Sequence, residues 1–221
     1  MRVIRFSLFL LCFLGFFSPT ASSAQDAPAS QQLKLSGPRI GMAFFTGNIA
    51  TRIKDPKSIG GLNARPVMSQ FGYQFETAYI SNDKLQALFE FFPNITGLDQ
   101  GKFLPNVSIL HGLRLNNGGW EFIVGPIFYA SKRTEGFFDP ANGDQWTRLT
   151  DWRADNPNAP EPEGVIKMLD TRGDIGFTSS IVLAIGKNFR AGDINLPINV
   201  FVIPHAEGTR YGISFGFNKQ H

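Results

Sequence analysis

Ser108, His111 and Glu121 come closest in residue type to a catalytic set, because a serine nucleophile needs a histidine base and an orienting acid. Ser108 and His111 lie three positions apart in a segment that alternates like a β-strand, so their side chains are expected to point to opposite faces. His205 lies beside Glu207, and no His, Asp and Glu cluster has metal-ligand spacing. The sequence therefore predicts that the chain is not an enzyme.

Four loop acids raise the question of calcium. Asp139, Asp144, Asp151 and Asp155 do not follow the spacing of a known calcium-binding loop, so we interpret them as solvated carboxylates. The single cysteine, Cys12, falls within the N-terminal apolar run, which leaves no thiolate ligand in a processed chain. No glycine-rich phosphate loop is present, and no cofactor or metal is predicted.

The N-terminus has the three parts of a secretory signal: Arg2 and Arg5, the apolar run Phe6–Phe17, and a small-residue site at 22–24. Residues 1–24 are predicted to be a cleaved signal peptide and 25–34 a flexible lead-in. Removing Arg2 and Arg5 from the 21 basic residues leaves 19 against 18 acidic ones. This balance and the lack of a clustered basic face predict no nucleic-acid partner.

The segment Phe103–Tyr129 organises the rest of the chain, because two alternating runs meet there at Asn117-Gly118. This dipeptide favours a two-residue type I′ hairpin turn, which pairs Asn116 with Gly119. The resulting register places Leu113 opposite Phe122, His111 opposite Val124, and Arg114 opposite Glu121. One face of the predicted hairpin is apolar, and the other carries an ion pair.

Similar alternation predicts a single domain over 35–218 with eight antiparallel strands. The strands are predicted at 37–46, 67–79, 84–92, two within 103–129, 174–186, 194–204 and 209–218. A three-residue turn, Ser81–Asp83, is predicted to pair Phe75 with Phe89. The stretches Gly47–Arg65 and Ser131–Arg172 lack a sustained period and are predicted to be long loops. Pro126 and Pro197 fall inside strands, where bulges are expected.

Charged residues recur on the less apolar face of the strands. In an eight-strand barrel this face would be enclosed, giving a polar lumen inside an apolar wall, as a transmembrane barrel requires. The predicted lumen network consists of Arg39, Glu76, Glu90, Arg114, Glu121, Asp174 and Arg210. The connections also alternate mostly between long and short, which is typical of barrels with outer loops and periplasmic turns. The fold class predicted is an all-β, antiparallel, up-and-down transmembrane β-barrel.

The C-terminal pattern Tyr211-x-Ile213-x-Phe215-x-Phe217 looks like the aromatic signal read by the barrel-assembly machinery, although four residues follow it. With the strand pattern, it makes the chain resemble the small eight-stranded outer-membrane proteins of the OmpA-domain and OmpX type. The resemblance implies a location in the Gram-negative cell envelope, contact with outer-membrane lipid, and assembly by that machinery.

The predicted function is a non-enzymatic, structural or surface-binding role through the outer loops, with an extracellular ligand that the sequence does not identify. A barrel this narrow is expected to be filled, which argues against a general porin despite the porin-like pattern. Two alternatives stay open. One is a soluble periplasmic barrel whose Phe-rich face lines a ligand cavity, and the other is a barrel-embedded lipid-modifying enzyme.

Overall fold

A computed structural model describes residues 33–219, with Lys219 described for its backbone alone. The predicted signal peptide, most of the predicted lead-in and the last two residues lie outside the described residues. Two short helices, α1 (Gly47–Lys54) and α2 (Leu149–Asp155), accompany eleven strands. The strands are β1 (Gly37–Phe45), β2 (Val67–Ser81), β3 (Leu85–Thr96), β4 (Leu104–Leu115), β5 (Trp120–Asp139), β6 (Gln145–Arg148), β7 (Ile166–Leu169), β8 (Asp174–Ala191), β9 (Ile194–Ile203), β10 (Arg210–Gly216) and β11 (Asn218–Lys219). Neither helix has the length and apolarity that a bilayer-crossing helix needs.

Eight of these strands close into a barrel. Each of β1 to β5 pairs antiparallel with the next, β5 pairs with β8, and β8 pairs with β9. The ring closes because β10 pairs with both β9 and β1, with Ile213 opposite Val200 on one side and Met42 on the other. Closure leaves no free edge around the ring. The predicted fold class, an antiparallel eight-stranded barrel, is confirmed.

The β4–β5 hairpin has the predicted register but a different turn. Arg114 pairs with Glu121 and Leu113 with Phe122. Positive φ angles fall on Gly118 (93°) and Gly119 (67°), and the turn closes when the Gly119 amide donates to the Leu115 carbonyl at 3.1 Å. The predicted two-residue turn at Asn117-Gly118 is therefore wrong. The observed connection is two residues longer, an even change that leaves the strand register the same.

The register predicted for the β2–β3 hairpin is also wrong. Phe75 pairs with Phe91, and Thr77 takes the position opposite Phe89. The pairing shifts between Ala78 and Ile80, where β2 contains one residue more than its partner. A bulge of this kind adds a residue to one strand and changes the pairing on the far side. Pro126 and Pro197, in contrast, lie opposite Ile181 and Asn188 without the expected bulges. On its other side the β4–β5 ladder omits Pro126 but resumes in the same register.

The two predicted long loops contain regular structure. The first contains α1, and β5 extends into the second as far as Asp139, where β6 and β7 both pair with it. We call residues 47–64 and 140–172 the loop cap, because they contact one another at one end of the barrel. The Thr171 amide donates to the Gly60 carbonyl at 2.8 Å, for example. Short strand pairs and contacts between loops carry no long sequence period, so alternation did not reveal them.

Polar and apolar side chains are sorted between the two sides of the barrel wall. Every barrel strand exposes at least one large apolar side chain, and Phe71, Phe122 and Leu183 are 45%, 51% and 46% exposed. Buried polar residues line the interior, among them Gln74, Asn94 and Asn199. The interior also has an apolar side, formed by Leu110, Ile123, Ile127, Val182 and Ile203. The lumen is thus polar on one side and apolar on the other.

Candidate functional site

Arg114 is the centre of a buried ionic network inside the barrel. The β4–β5 register places it opposite Glu121, and its Nε donates to Glu121 Oε2 at 2.7 Å. Its Nη1 donates to Glu76 Oε1 at 2.7 Å and to Gln86 Oε1 at 3.3 Å. Since all four side chains are buried, these bonds operate away from bulk water, where hydrogen bonds between charged groups are strongest. The geometry suits holding the strands in register.

Two more predicted residues, Arg39 and Glu90, complete this cluster. Both are at least 98% buried, and Arg39 is close enough to interact electrostatically with all three glutamates. One carboxylate oxygen from each of Glu76, Glu90 and Glu121 lies within 4.8 Å of the others, a spacing that a divalent cation could bridge. Arg114 already donates to two of these carboxylates, so the positive charge that balances them comes from the chain itself.

The segment before β1 closes this end of the barrel. Leu35 is fully buried, and its amide donates to Glu76 Oε1 at 3.2 Å. Arg114 Nη1 donates to the Leu33 carbonyl at 3.1 Å. This inserted segment and Gln86 belong to the network but were not predicted. Their signals were weak, because Gln86 carries no charge and Leu33 and Leu35 precede the first alternating strand.

The other two predicted lumen residues lie apart from this cluster. Arg210, at the start of β10, is 95% buried, and its Nη2 donates to Thr96 Oγ1 at 2.9 Å. Asp174 is exposed, because it occupies the part of β8 that extends beyond β9 and pairs with Arg133 of β5. Its place in the strand alternation matches the inward side, but no barrel wall surrounds it at that height. The structure therefore does not place Asp174 in the lumen.

A second ionic cluster, absent from the sequence prediction, organises the loop cap. Arg52 of α1 is fully buried, and its Nε donates to the Leu169 carbonyl at 3.1 Å. Asp170, also fully buried, accepts from Trp146 Nε1 at 3.0 Å and from Arg172 Nη2 at 2.8 Å. Burial opposes ionisation of Asp170, but the hydrogen bonds from Arg172 and Trp146 outweigh it and lower the pKa of this carboxyl. The cluster ties the two outer segments together.

A cavity of about 110 Å³ lies between the loop cap and the interior. It is lined mainly by apolar side chains, with His205, Glu207, Ser131 and Arg133 among the polar residues. His205 Nδ1 accepts from the Glu207 amide at 3.2 Å, and the Glu207 carboxylate pairs with Arg133. A histidine, a hydroxyl and a carboxylate thus line one cavity, but these hydrogen bonds do not arrange them as a nucleophile, base and orienting acid.

The remaining candidates for chemistry are dispersed. Ser108 is buried in the interior, while the His111 ring lies on the outer wall, 5.6 Å from the Phe89 ring centroid. Of the loop acids, Asp139 accepts from the Ala141 amide at 2.9 Å and Asp151 binds Arg148. The hydrogen bond from Arg148 lowers the pKa of Asp151. Asp139 and Asp151 thus have local partners, and within the described residues the four loop acids do not form a common ligand set.

Together, the fold and the interior define a class: a closed eight-stranded antiparallel barrel whose lumen is polar on one side and apolar on the other, with an apolar outer wall. No protein-family model matches the chain, and no curated protein matches it.

Proposed function

We propose that the chain is a small outer-membrane β-barrel protein of the Gram-negative cell envelope, with a non-enzymatic structural or surface-binding role. The observation that carries this proposal is the apolar outer wall. Monomeric soluble proteins rarely expose contiguous apolar patches larger than a few hundred Å². Here large apolar side chains are exposed on all eight barrel strands. Hydrocarbon is the solvent that suits such a wall.

The interior supports the same proposal. The cluster around Arg114 fills one end of the lumen, and the loop cap covers the other, so the barrel is suited to stability rather than to general permeation. The alternative of a soluble barrel whose Phe-rich face lines a cavity is disfavoured, because Phe71, Phe75 and Phe122 face outward. The likeness to the OmpA-domain and OmpX type stays a proposal based on the strand pattern.

The loop cap is the part of the molecule that we propose contacts the cell's surroundings. Its position follows if both chain termini face the periplasm, since α1 and the β5–β8 connection then lie outside. Buried ion pairs such as Arg52 with Asp170 give this surface a fixed shape. A rigid surface loses less entropy on binding than mobile loops do.

Membrane fractionation combined with heat-dependent gel mobility tests the proposal. We expect the full-length protein in the outer-membrane fraction, extractable only with detergent, and migrating faster unheated than boiled because the closed barrel resists unfolding. Full recovery in buffer without detergent would overturn the membrane assignment while leaving the barrel fold unaffected.

A further inference from the structure

Arg210 is a buried cation without an acidic partner. Its Nε has no hydrogen-bond partner, and no carboxylate within residues 33–219 forms an ion pair with it. The guanidinium instead lies near the rings of Phe45, Tyr129 and Phe201, at 5.3, 5.8 and 6.0 Å from their centroids, and beside the neutral Tyr129 hydroxyl. Cation–π contacts offset only part of the cost of burying a charge. An anion bound here would complete the compensation.

The cavity beneath the loop cap adjoins this arginine. Arg210 contributes to its lining together with the apolar side chains of Ile49, Ile53, Leu62, Leu104, Leu169 and Ile203. Arg133 also lines the cavity, but Glu207 neutralises it. The cavity therefore offers one uncompensated positive charge in apolar surroundings. This combination fits a ligand with a single negative charge and a hydrocarbon body better than a doubly charged phosphate monoester.

The cavity reaches the barrel wall beyond the end of the β8–β9 ladder. The ladder ends with Leu183 opposite Val202, and the part of β8 before Ser180 pairs with β5 alone. The Ser180 hydroxyl still donates to the Pro204 carbonyl, and past that contact Thr178 of β8 and His205, which follows β9, line the cavity. On the outer side of the same stretch, Phe177 is 82% exposed. A hydrocarbon chain leaving the cavity here meets an apolar surface.

We propose that this cavity binds a long-chain fatty acid, with its carboxylate on the Arg210 guanidinium and its chain leaving between β8 and β9. A dry cavity of about 150 Å³ in another protein holds benzene, so one of about 110 Å³ holds only a few carbons beyond the carboxylate. The rest of the chain must lie along the outer wall near Phe177. The proposal goes beyond the proposed surface role, and its carboxylate site depends on the barrel and the loop cap but not on a membrane location.

The test uses full-length protein in dodecyl maltoside and palmitate labelled at the carboxyl carbon, with binding measured by equilibrium dialysis and carboxyl-carbon NMR. Three proteins are compared: the wild type, Arg210→Met, and the control Arg190→Met, which removes an exposed arginine on β8. Hexadecanol and hexadecyl phosphate serve as uncharged and doubly charged probes of equal chain length.

We expect one palmitate per wild-type chain and a bound carboxyl resonance distinct from that of palmitate in micelles. Arg210→Met should weaken palmitate binding at least about tenfold, as loss of a charge-assisted hydrogen bond predicts, while Arg190→Met leaves it unchanged. Leu104→Trp, which fills the cavity but keeps the charge, should also weaken it.

Equal affinity of the wild type for palmitate and hexadecanol would overturn the proposal, as would tighter binding of hexadecyl phosphate or unchanged binding by Arg210→Met. If Arg210→Met loses the heat-dependent gel shift, the comparison of the three probes on the wild type decides. Fractionation of the protein as soluble would refute the proposed membrane location but leave the dialysis result interpretable.

Discussion

Replacing Arg114 with methionine should destabilise the barrel strongly, because this side chain is the shared partner of two enclosed carboxylates. Arg114 and Glu90 are at most 1% exposed, and the three glutamates lie within 4.8 Å of one another. Arg114→Met removes the donor at 2.7 Å from both Glu76 and Glu121. Removing one member of a buried ion pair costs about 3–5 kcal/mol, since the remaining charge stays desolvated. We expect a loss of that size in the free energy of unfolding.

The assay is guanidinium-induced unfolding of the folded protein in detergent, followed by far-UV circular dichroism and by the gel shift. A triple variant, Arg114→Met with Glu76→Gln and Glu121→Gln, also neutralises the two carboxylates that lose their partner. It separates the cost of unpaired charge from the cost of lost packing, and it should recover at least half of the lost stability. Arg190→Met, at an exposed position, should stay within about 0.5 kcal/mol of the wild type. A loss below about 1 kcal/mol for Arg114→Met would show that the network contributes little. A large loss with no recovery in the triple variant would show that the desolvated carboxylates are not its cause.

Three further predictions concern the loop cap and the outer wall. Because the pKa of Asp170 is lowered, its contribution to cap stability is fully present above the unfolded pKa of about 4 and is lost as the pH falls through the folded pKa. Amide exchange in 166–172 should therefore rise only as the pH falls below about 4, beyond the intrinsic pH effect, and Asp170→Asn should abolish this change. Gly60→Ala should open the cap, because the φ of Gly60 is +82° and a Cβ there would lie 2.0 Å from Asp170 Oδ1. Gly101→Ala, also at positive φ but with open space around it, is the control for backbone strain. Equal amide exchange in the two variants would refute the clash with Asp170. Phe122→Arg should destabilise the protein in phospholipid vesicles by about 2–4 kcal/mol relative to Leu98→Arg. Leu98 is the control because it is also exposed but lies in a connection outside the strands. Equal stability of the two variants would argue against lipid contact at Phe122.

The period-two alternation predicted most of the barrel. It located all eight barrel strands, although β5 and β8 extend further than predicted. The turn at Asn117-Gly118, although longer than predicted, gave the register that places Arg114 opposite Glu121. Such predictions succeed because a strand turns alternate residues to opposite faces whatever their distant neighbours are. The bulge in β2 was not predicted, because an extra residue on one strand depends on how the whole sheet curves and not on the local alternation.

The sequence by itself determined which side chains belong together on each face, because that follows from the local geometry of an extended chain. Tertiary structure alone decided where those faces meet other segments. Arg52 binds Asp170, which is 118 positions away in the sequence. Asp174 lies outside the lumen because β8 extends beyond the end of β9. The apolar cavity beside Arg210 likewise exists only when the ring closes and the loop cap covers it. Contacts between distant segments are set by closure and packing in three dimensions, and a local period does not encode them.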